Sequence, residues 1–278
     1  MLQRHLNRQP ITVAILTKNE EALVARAVAS ARWADEVLVV DSESSDATRE
    51  IAERAGARVV VQPWLGWLGQ HRRAVDLASH DWVMKLDADE IITERLAASI
   101  RDALDGDPDP RDGYVVTRVD EFMGALLPDT RRRSRRDAFV RVFNRTMSGW
   151  DPDLAIHEEV KVAGRRHKLK GPLLHWRNAS IERLIAVYNA NSEVEAASML
   201  KRAPEGPSAA AVVLKPVLRF AWAYVWSGSW RFGMRGFHRA VMHAFADYLA
   251  LAKAWEAKHA PPVRDPRPEQ LRALDRIA

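Results

Sequence analysis

The chain has 278 residues, 47% of them hydrophobic and 28% charged, with a net charge of +5 and no cysteine. That length allows one large domain, or one ordinary domain with a substantial appendage, and the composition excludes general disorder. Without cysteine, thiol nucleophiles, disulfides, iron–sulfur clusters and Cys-ligated zinc are excluded, while the positive balance suits an anionic partner such as nucleic acid, lipid headgroups or a phosphorylated substrate.

Met1 to Pro10 lacks the apolar core of a secretory signal, so the expected location is cytoplasmic. From Ile11 to about Leu104, short apolar runs alternate with amphipathic stretches, the pattern of β-α-β units building a parallel sheet. Strands are expected at Ile11 to Leu16, Glu36 to Val40, Arg58 to Val61 and Trp82 to Leu86. Helices are expected at Glu21 to Ala31, Ala47 to Ala55 and Gln70 to Ala78. The carboxyl ends of the four strands then share one edge, which is where open α/β sheets bind ligands.

Three loops on that edge carry chemistry. The strand ending at Leu86 runs into Asp87-Ala88-Asp89-Glu90. Two carboxylates one residue apart at a strand end can share Mg²⁺ or Mn²⁺ with diphosphate oxygens, because these cations take oxygen ligands and leave positions for substrate. Position carries this argument: Asp107-Pro108-Asp109 and Asp151-Pro152-Asp153 match the same triplet, but their central proline suits a turn. Asp41 follows the run Val37 to Val40, where its carboxylate can accept a base N–H. Ser44, Ser45 and Asp46 stand where the next helix begins, either as an anion site or as helix caps.

After an expected helix from Thr93 to Leu104, Asp105 to Gly113 is rich in Asp, Pro and Gly. Short strands are expected at Gly113 to Val119, Phe139 to Phe143, Val160 to Val162 and Leu173 to His175, completing the sheet and walling an acceptor side. Helical periodicity resumes from Ser180 to Leu200, and Arg202 to Ser208 reads as a linker. No run reaches the roughly 18 apolar residues of a spanning helix, since Ala209 to Trp230 is interrupted by Lys215, Pro216 and Arg219. In that stretch Trp222, Trp226 and Trp230 recur every four residues beside Arg219, Arg231, Arg235 and Arg239, which fits either an interfacial membrane anchor or packing on the catalytic domain.

Taken together, Ile15 to Glu20, Asp41 to Asp46 and Asp87 to Glu90 resemble the family 2 glycosyltransferases, whose nucleotide-sugar domain has the GT-A fold. Ala34 to Val37, the spacing to Gln70, Val140 to Phe143, Ile156 to Glu159 and Gly171 to His175 extend the resemblance to the lipopolysaccharide core glucosyltransferase subgroup, the WaaE-like proteins. The resemblance implies a Rossmann-like mixed sheet in a GT-A domain over residues 1–200, with a nucleotide-sugar half at about 10–105 and an acceptor half at about 106–200. Residues 201–278 would form a C-terminal amphipathic helical region and tail.

It further implies that Thr17 and Asp41 contact the uracil or ribose of a UDP-sugar and that Asp87 and Asp89 lie at the ribose and the metal-bound diphosphate. Asn19, Glu20 and Arg73 are counted with the nucleotide-sugar contacts. Asp89 and His175 are the implied metal ligands, although a lone histidine beside Trp176 also reads as a hydrogen-bonded core residue. Glu158 is the implied catalytic base, with Asp153 and Glu159 as alternatives. A base is required because inversion by direct displacement takes the proton from the acceptor hydroxyl as the nucleotide departs on the opposite face.

Three departures from the subgroup stand out. His71-Arg72-Arg73 replaces a Lys-Asn-Arg type triplet, Glu43 stands where the family has glycine, and Arg131 to Arg136 replaces an aromatic, glycine-containing segment. The expected function is inverting, metal-dependent transfer of a hexose, glucose from UDP-glucose, to a lipopolysaccharide-core or other lipid-linked glycan acceptor. The place would be the cytoplasmic face of the inner membrane, peripherally bound to its anionic surface. The alternative is an inactive GT-A scaffold that binds a membrane surface or nucleic acid. The basic cluster has no interleaved aromatic residues to stack on bases, which weighs against nucleic acid. A nucleotidyltransferase would need a Gly-rich phosphate loop, and the chain has none.

Overall fold

The computed structural model describes residues 8–127, 138–150, 160–177 and 180–260. They fall into two compact units, within residues 1–178 and 179–278. The division comes before the expected boundary at residue 200.

In the first unit, β1 (Ile11–Thr17), β2 (Glu36–Asp41), β3 (Arg58–Val61) and β4 (Trp82–Asp87) pair in parallel in the order β3-β2-β1-β4. Their side chains are apolar on both faces because both faces are covered by helices. Ile11, Val13 and Ile15 pack with Val24, Ala27 and Val28 of α1 (Val24–Ala31) and with Leu96 and Ile100 of α4 (Glu94–Ala103). On the other face Ala14, Leu38 and Val83 pack with Ala74 and Val75 of α3 (Gly66–Asp76). Phe143 is fully buried in this second cluster, where truncation to alanine would cost about 3–5 kcal/mol. The remaining helix, α2 (Thr48–Arg54), joins β2 to β3.

The sheet continues with mixed sense. β4 pairs antiparallel with β8 (Ala138–Asn144), β8 antiparallel with β6 (Gly113–Phe122), and β6 parallel with β11 (Arg166–His175). β11 in turn pairs antiparallel with β5 (Glu90–Ile92), and β7 (Ala125–Leu127) folds back on β6. This is the mixed α/β sheet that the GT-A resemblance implies. Two-residue strands β9 (Ser148–Gly149) and β10 (Lys161–Val162) form a separate ladder.

Several elements differ from the sequence expectation. β5 begins at Glu90, inside the segment expected to be loop. α3 starts four residues before Gln70 and takes in Gly66-Trp67-Leu68-Gly69. β11 extends back from Leu173 to Arg166, through a polar run and a register shift between Lys168 and Pro172. Gly171 makes that shift workable: its φ is +93°, and a Cβ there would come within 2.6 Å of the Leu96 amide nitrogen.

The second unit is helical. α5 (Ile181–Arg202) and α6 (Ala209–Ala221) begin at Ser180 and Ser208, whose hydroxyls accept from the Arg183 and Ala211 N–H groups at 3.1 and 3.2 Å. α6 continues into a π turn (Trp222–Trp226), a 3₁₀ turn (Ser229–Phe232) and α7 (Gly233–His259). α5 belongs to this unit because it packs on α7, where Lys253 Nζ donates to the Asn189 carbonyl at 2.7 Å. Gly236 lets the 3₁₀ turn close on α7, since any Cβ would collide with the Ser229 carbonyl. Contrary to the sequence expectation, the helical run Ala209–Trp226 is long and apolar enough to cross a membrane by length and composition, Lys215 and Arg219 notwithstanding.

Candidate active site

Parallel pairing brings Thr17 opposite Asp41 and Leu16 opposite Asp87, so the three expected loops do share an edge. Asp41 is fully buried. Its Oδ2 accepts from the Thr17 hydroxyl at 3.0 Å and its Oδ1 accepts from the Ser44 N–H at 2.8 Å. The neighbouring loops are then laced together. The Asn19 N–H donates to Ser44 Oγ, the Ser45 N–H to Asn19 Oδ1 and the Glu20 N–H to Thr48 Oγ1, each at 2.8 Å. Asn19 and Glu43 take left-handed φ values of 54° and 58°, so the family glycine that Glu43 replaces stood where a Cβ is disfavoured. Gln70, also fully buried, donates from Nε2 to Ser42 Oγ at 2.9 Å. Arg73, one turn on, reaches Gln62 Oε1 at 3.1 Å.

The acidic tetrapeptide is a turn between β4 and β5. Glu90 is fully buried and faces back into it, accepting from the Asp87 N–H at 3.0 Å and from Arg141 Nη2 at 2.8 Å. Burial, together with the Asp87 charge, pushes the Glu90 carboxyl up to about 7 against the pull of Arg141. Arg141 also stands 3.5 Å from Asp87 Oδ2. Burial opposes ionisation of Asp87 too, but the Arg141 guanidinium together with His71 and Lys85 holds this carboxyl below its usual range.

Asp89 turns the other way, towards the end of β11. Its Oδ2 lies 3.0 Å from His175 Nε2 and accepts from Arg177 Nε at 3.0 Å, while the Trp176 N–H donates to the Asp89 carbonyl at 2.7 Å. His175 Nδ1 is 2.6 Å from Asp120 Oδ1, because β6 and β11 place these residues in register. Burial disfavours a charged His175, yet Asp120 and Asp89 raise its pKa to about 9. Burial likewise works against ionised Asp89, and His175 and Arg177 bring it down to about 2. As an imidazolium, His175 donates to both carboxylates. As neutral imidazole with its proton on Nδ1, it still donates to Asp120 and presents a lone pair at Nε2, 2.9 Å from Arg177 Nε.

That second state fits a divalent cation. Two ligands on adjacent octahedral positions, each roughly 2.0–2.1 Å from Mg²⁺, stand about 3 Å apart, which is the separation of Asp89 Oδ2 and His175 Nε2. Asp120 on the far nitrogen is the carboxylate that orients such a histidine. Among the described residues no three His, Asp or Glu side chains form a full ligand set, so substrate oxygens or water would complete the shell.

Beside the acids, Lys85 Nζ sits 5.2 Å from the ring centroid of Trp150, and His71 stacks on the same ring at 6.4 Å. Glu158, its alternatives Asp153 and Glu159, the triplet Asp151–Asp153 and the cluster Arg131–Arg136 lie outside the described residues. Asp109 is a surface turn residue paired with Arg111 at 2.7 Å, as its proline neighbour suggested. Asp120 and Arg177 had no signal in the sequence, because only the β6–β11 register brings Asp120 to His175 and only the chain leaving β11 brings Arg177 to Asp89. Arg141 and Gln70 were visible only as parts of the family resemblance.

The model of the family described as Glycosyl transferase family 2 matches residues 12–169. The chain is 32% identical over 257 residues to a glycosyltransferase of Rickettsia bellii (strain RML369-C), covering 88% of this chain and 86% of that one. It is 28% identical over 257 residues to the lipopolysaccharide core biosynthesis glycosyltransferase LpsC of Rhizobium meliloti (strain 1021), covering 90% and 93% of the two chains. The fold is also that of the mannosyltransferase PcManGT from Pyrobaculum calidifontis, solved with GDP-Man and Mn²⁺. That likeness has a TM-score of 0.52 and 16% identity, and covers 91% of this chain and 89% of the other. The inactive-scaffold alternative gives way to an enzyme with the GT-A fold, and the chain belongs to glycosyltransferase family 2.

Proposed function

We propose that this glycosyltransferase is inverting and metal-dependent, and that it transfers a hexose, glucose from UDP-glucose, to a lipopolysaccharide-core or other lipid-linked glycan acceptor. It works peripherally at the cytoplasmic face of the inner membrane. The observation that carries the reading is the Asp89–His175 pair, 3.0 Å apart at the carboxyl edge of the sheet and backed by Asp120. Similarity over nine-tenths of the chain to LpsC supports the acceptor class.

In this reading Asp89 and His175 hold Mg²⁺ or Mn²⁺, which when bound offsets the charge on the departing diphosphate. Asp87 approaches the ribose and diphosphate, held in place by Arg141 and Glu90. Thr17, Asn19, Glu20 and Arg73 line the nucleotide side. Asp41 has no exposed oxygen, so it acts by fixing Thr17 and Ser44, and reaches a base only if Ser44 yields. Glu158 takes the proton from the acceptor hydroxyl as that oxygen attacks the anomeric carbon opposite the leaving nucleotide.

The test is to incubate the purified chain with a panel of nucleotide sugars, Mn²⁺ and core-oligosaccharide acceptors. Transfer from UDP-glucose is expected, and Asp89→Ala should lower it by roughly 10³-fold, since metal stabilisation is worth several kcal/mol. If the wild-type chain neither binds UDP nor consumes any nucleotide sugar, the reading is wrong.

A further inference from the structure

The helical unit carries an apolar stripe that sugar transfer does not use. Val213, Leu214, Val217, Leu218, Val225 and Trp226 recur at helical spacing along α6 and the π turn, and each is more than half exposed. The opposite side of the same run is covered within the unit: Phe220 and Tyr224 meet the Phe237 ring of α7 edge-on, with centroids 5.7 and 5.8 Å away. The run is therefore one-sided, with its most apolar surface turned to solvent, where a monomer in water gains nothing from it.

The stretch of chain that carries this stripe has charges of one sign. From Ser208 to Ala246 the chain contains Lys215, Arg219, Arg231, Arg235 and Arg239 and no Asp or Glu. Arg219 sits 5.2 Å over the ring of Trp222, with Asp247 3.7 Å away, and Arg231 sits 5.3 Å over the ring of Trp230. Both tryptophans are exposed. Exposed indoles capped by guanidinium groups at the border of an apolar face match the headgroup level of a bilayer, where an aromatic ring meets hydrocarbon on one side and phosphate on the other.

We propose that the helical unit seats on an anionic lipid surface. The six stripe residues enter the acyl boundary, and Lys215, Arg219, Arg231 and Arg235 lie against headgroup phosphates. The run lies in the membrane plane and does not cross it. One of its faces is already packed on α7, and crossing would carry Lys215 and Arg219 into hydrocarbon. This deepens the lipid-linked acceptor reading and rests on it for its purpose, although binding itself needs no catalysis.

Flotation of the full chain with phosphatidylcholine vesicles, with and without about 30 mol% phosphatidylglycerol, tests the proposal. The chain should float with the anionic vesicles, more weakly as salt is raised, and should be stripped from them by alkaline carbonate. Leu218→Glu with Trp226→Glu should reduce binding by roughly tenfold or more while circular dichroism stays unchanged. If that pair unfolds the chain, Lys215→Glu with Arg231→Glu at the rim should have the same effect. Equal flotation of both double variants, equal binding to neutral vesicles, or resistance to carbonate would overturn the proposal. So would a lipid-free dimer that Leu218→Glu dissolves, since a second copy would then cover the stripe. A chain that floats as expected but transfers no sugar sustains this proposal and sinks the transferase reading; transfer without flotation does the reverse.

Discussion

The loops after β1 and β2 and the turn after β4 stand at the same edge of one sheet, yet they satisfy their polar groups in opposite ways. Around Asp41 every donor has a nearby acceptor: Thr17, Ser44, Asn19 and Ser45 form a closed lattice that needs nothing from outside. Around Asp89 the balance is met by moving charge, with His175 drawn towards its protonated form and Arg177 leaning on both partners. The first arrangement is a rigid wall, and the second can exchange a proton and an arginine contact for a cation. In the proposed function, preorganisation on one side would grip the nucleotide and exchangeable charge on the other would release the diphosphate.

Breaking the wall should have the largest effect on the fold. Asp41→Ala leaves a buried Ser44 N–H and the Thr17 hydroxyl without their acceptor, and should cost about 3 kcal/mol in a urea titration. If the midpoint does not move, the lattice is decoration. On the other side, Asp120→Asn should weaken Mn²⁺ binding, read by electron paramagnetic resonance without substrate, by about 10–100-fold and leave the urea midpoint nearly unchanged. Unaltered Mn²⁺ affinity would remove His175 from the ligand set.

A smaller change sharpens the same contrast. Glu43 sits in the left-handed region, so Glu43→Gly should stabilise the wall by about 1 kcal/mol, visible as a raised melting temperature. A pH effect belongs to the far end of β2, where Glu36 accepts from Thr12, Ser79 and Arg58. Burial works against its ionisation, but those donors hold it at about 2, below the ordinary 4.5. A depressed carboxylate lends stability above its unfolded pKa and loses it as pH falls, so this contribution should fade between about 4.5 and about 2. Glu36→Gln should flatten that part of the stability curve.

Strands β1 to β4 and the acidic turn were legible because each is a local signal: an apolar run, a polar break, a carboxylate at the end. The start of α3 was missed because Gly66 and Gly69 read as loop, although Leu68 and Trp67 continue into the helix. β11 was seen only at its apolar end. Arg166 to Lys170 carry charge, and what makes them strand is the ladder to β6 and the close approach of Gly171 to α4. Likewise α5 reads as a helix anywhere, but only its packing on α7 assigns it to the second unit.

By itself the sequence determined the parallel half of the sheet, the family and the edge that the three polar loops share, because hydrophobic period and turn chemistry act over a few residues. Only the tertiary structure decided that Asp89 faces His175, that Asp120 stands behind it, that Glu90 and Arg141 lock the turn from beneath, and that one side of α6 is left uncovered. The contacts of Asp89, Asp120 and Glu90 depend on strand register across 50 or more residues of chain, which is set by the whole sheet at once, and the bare side of α6 depends on how α6 packs on α7.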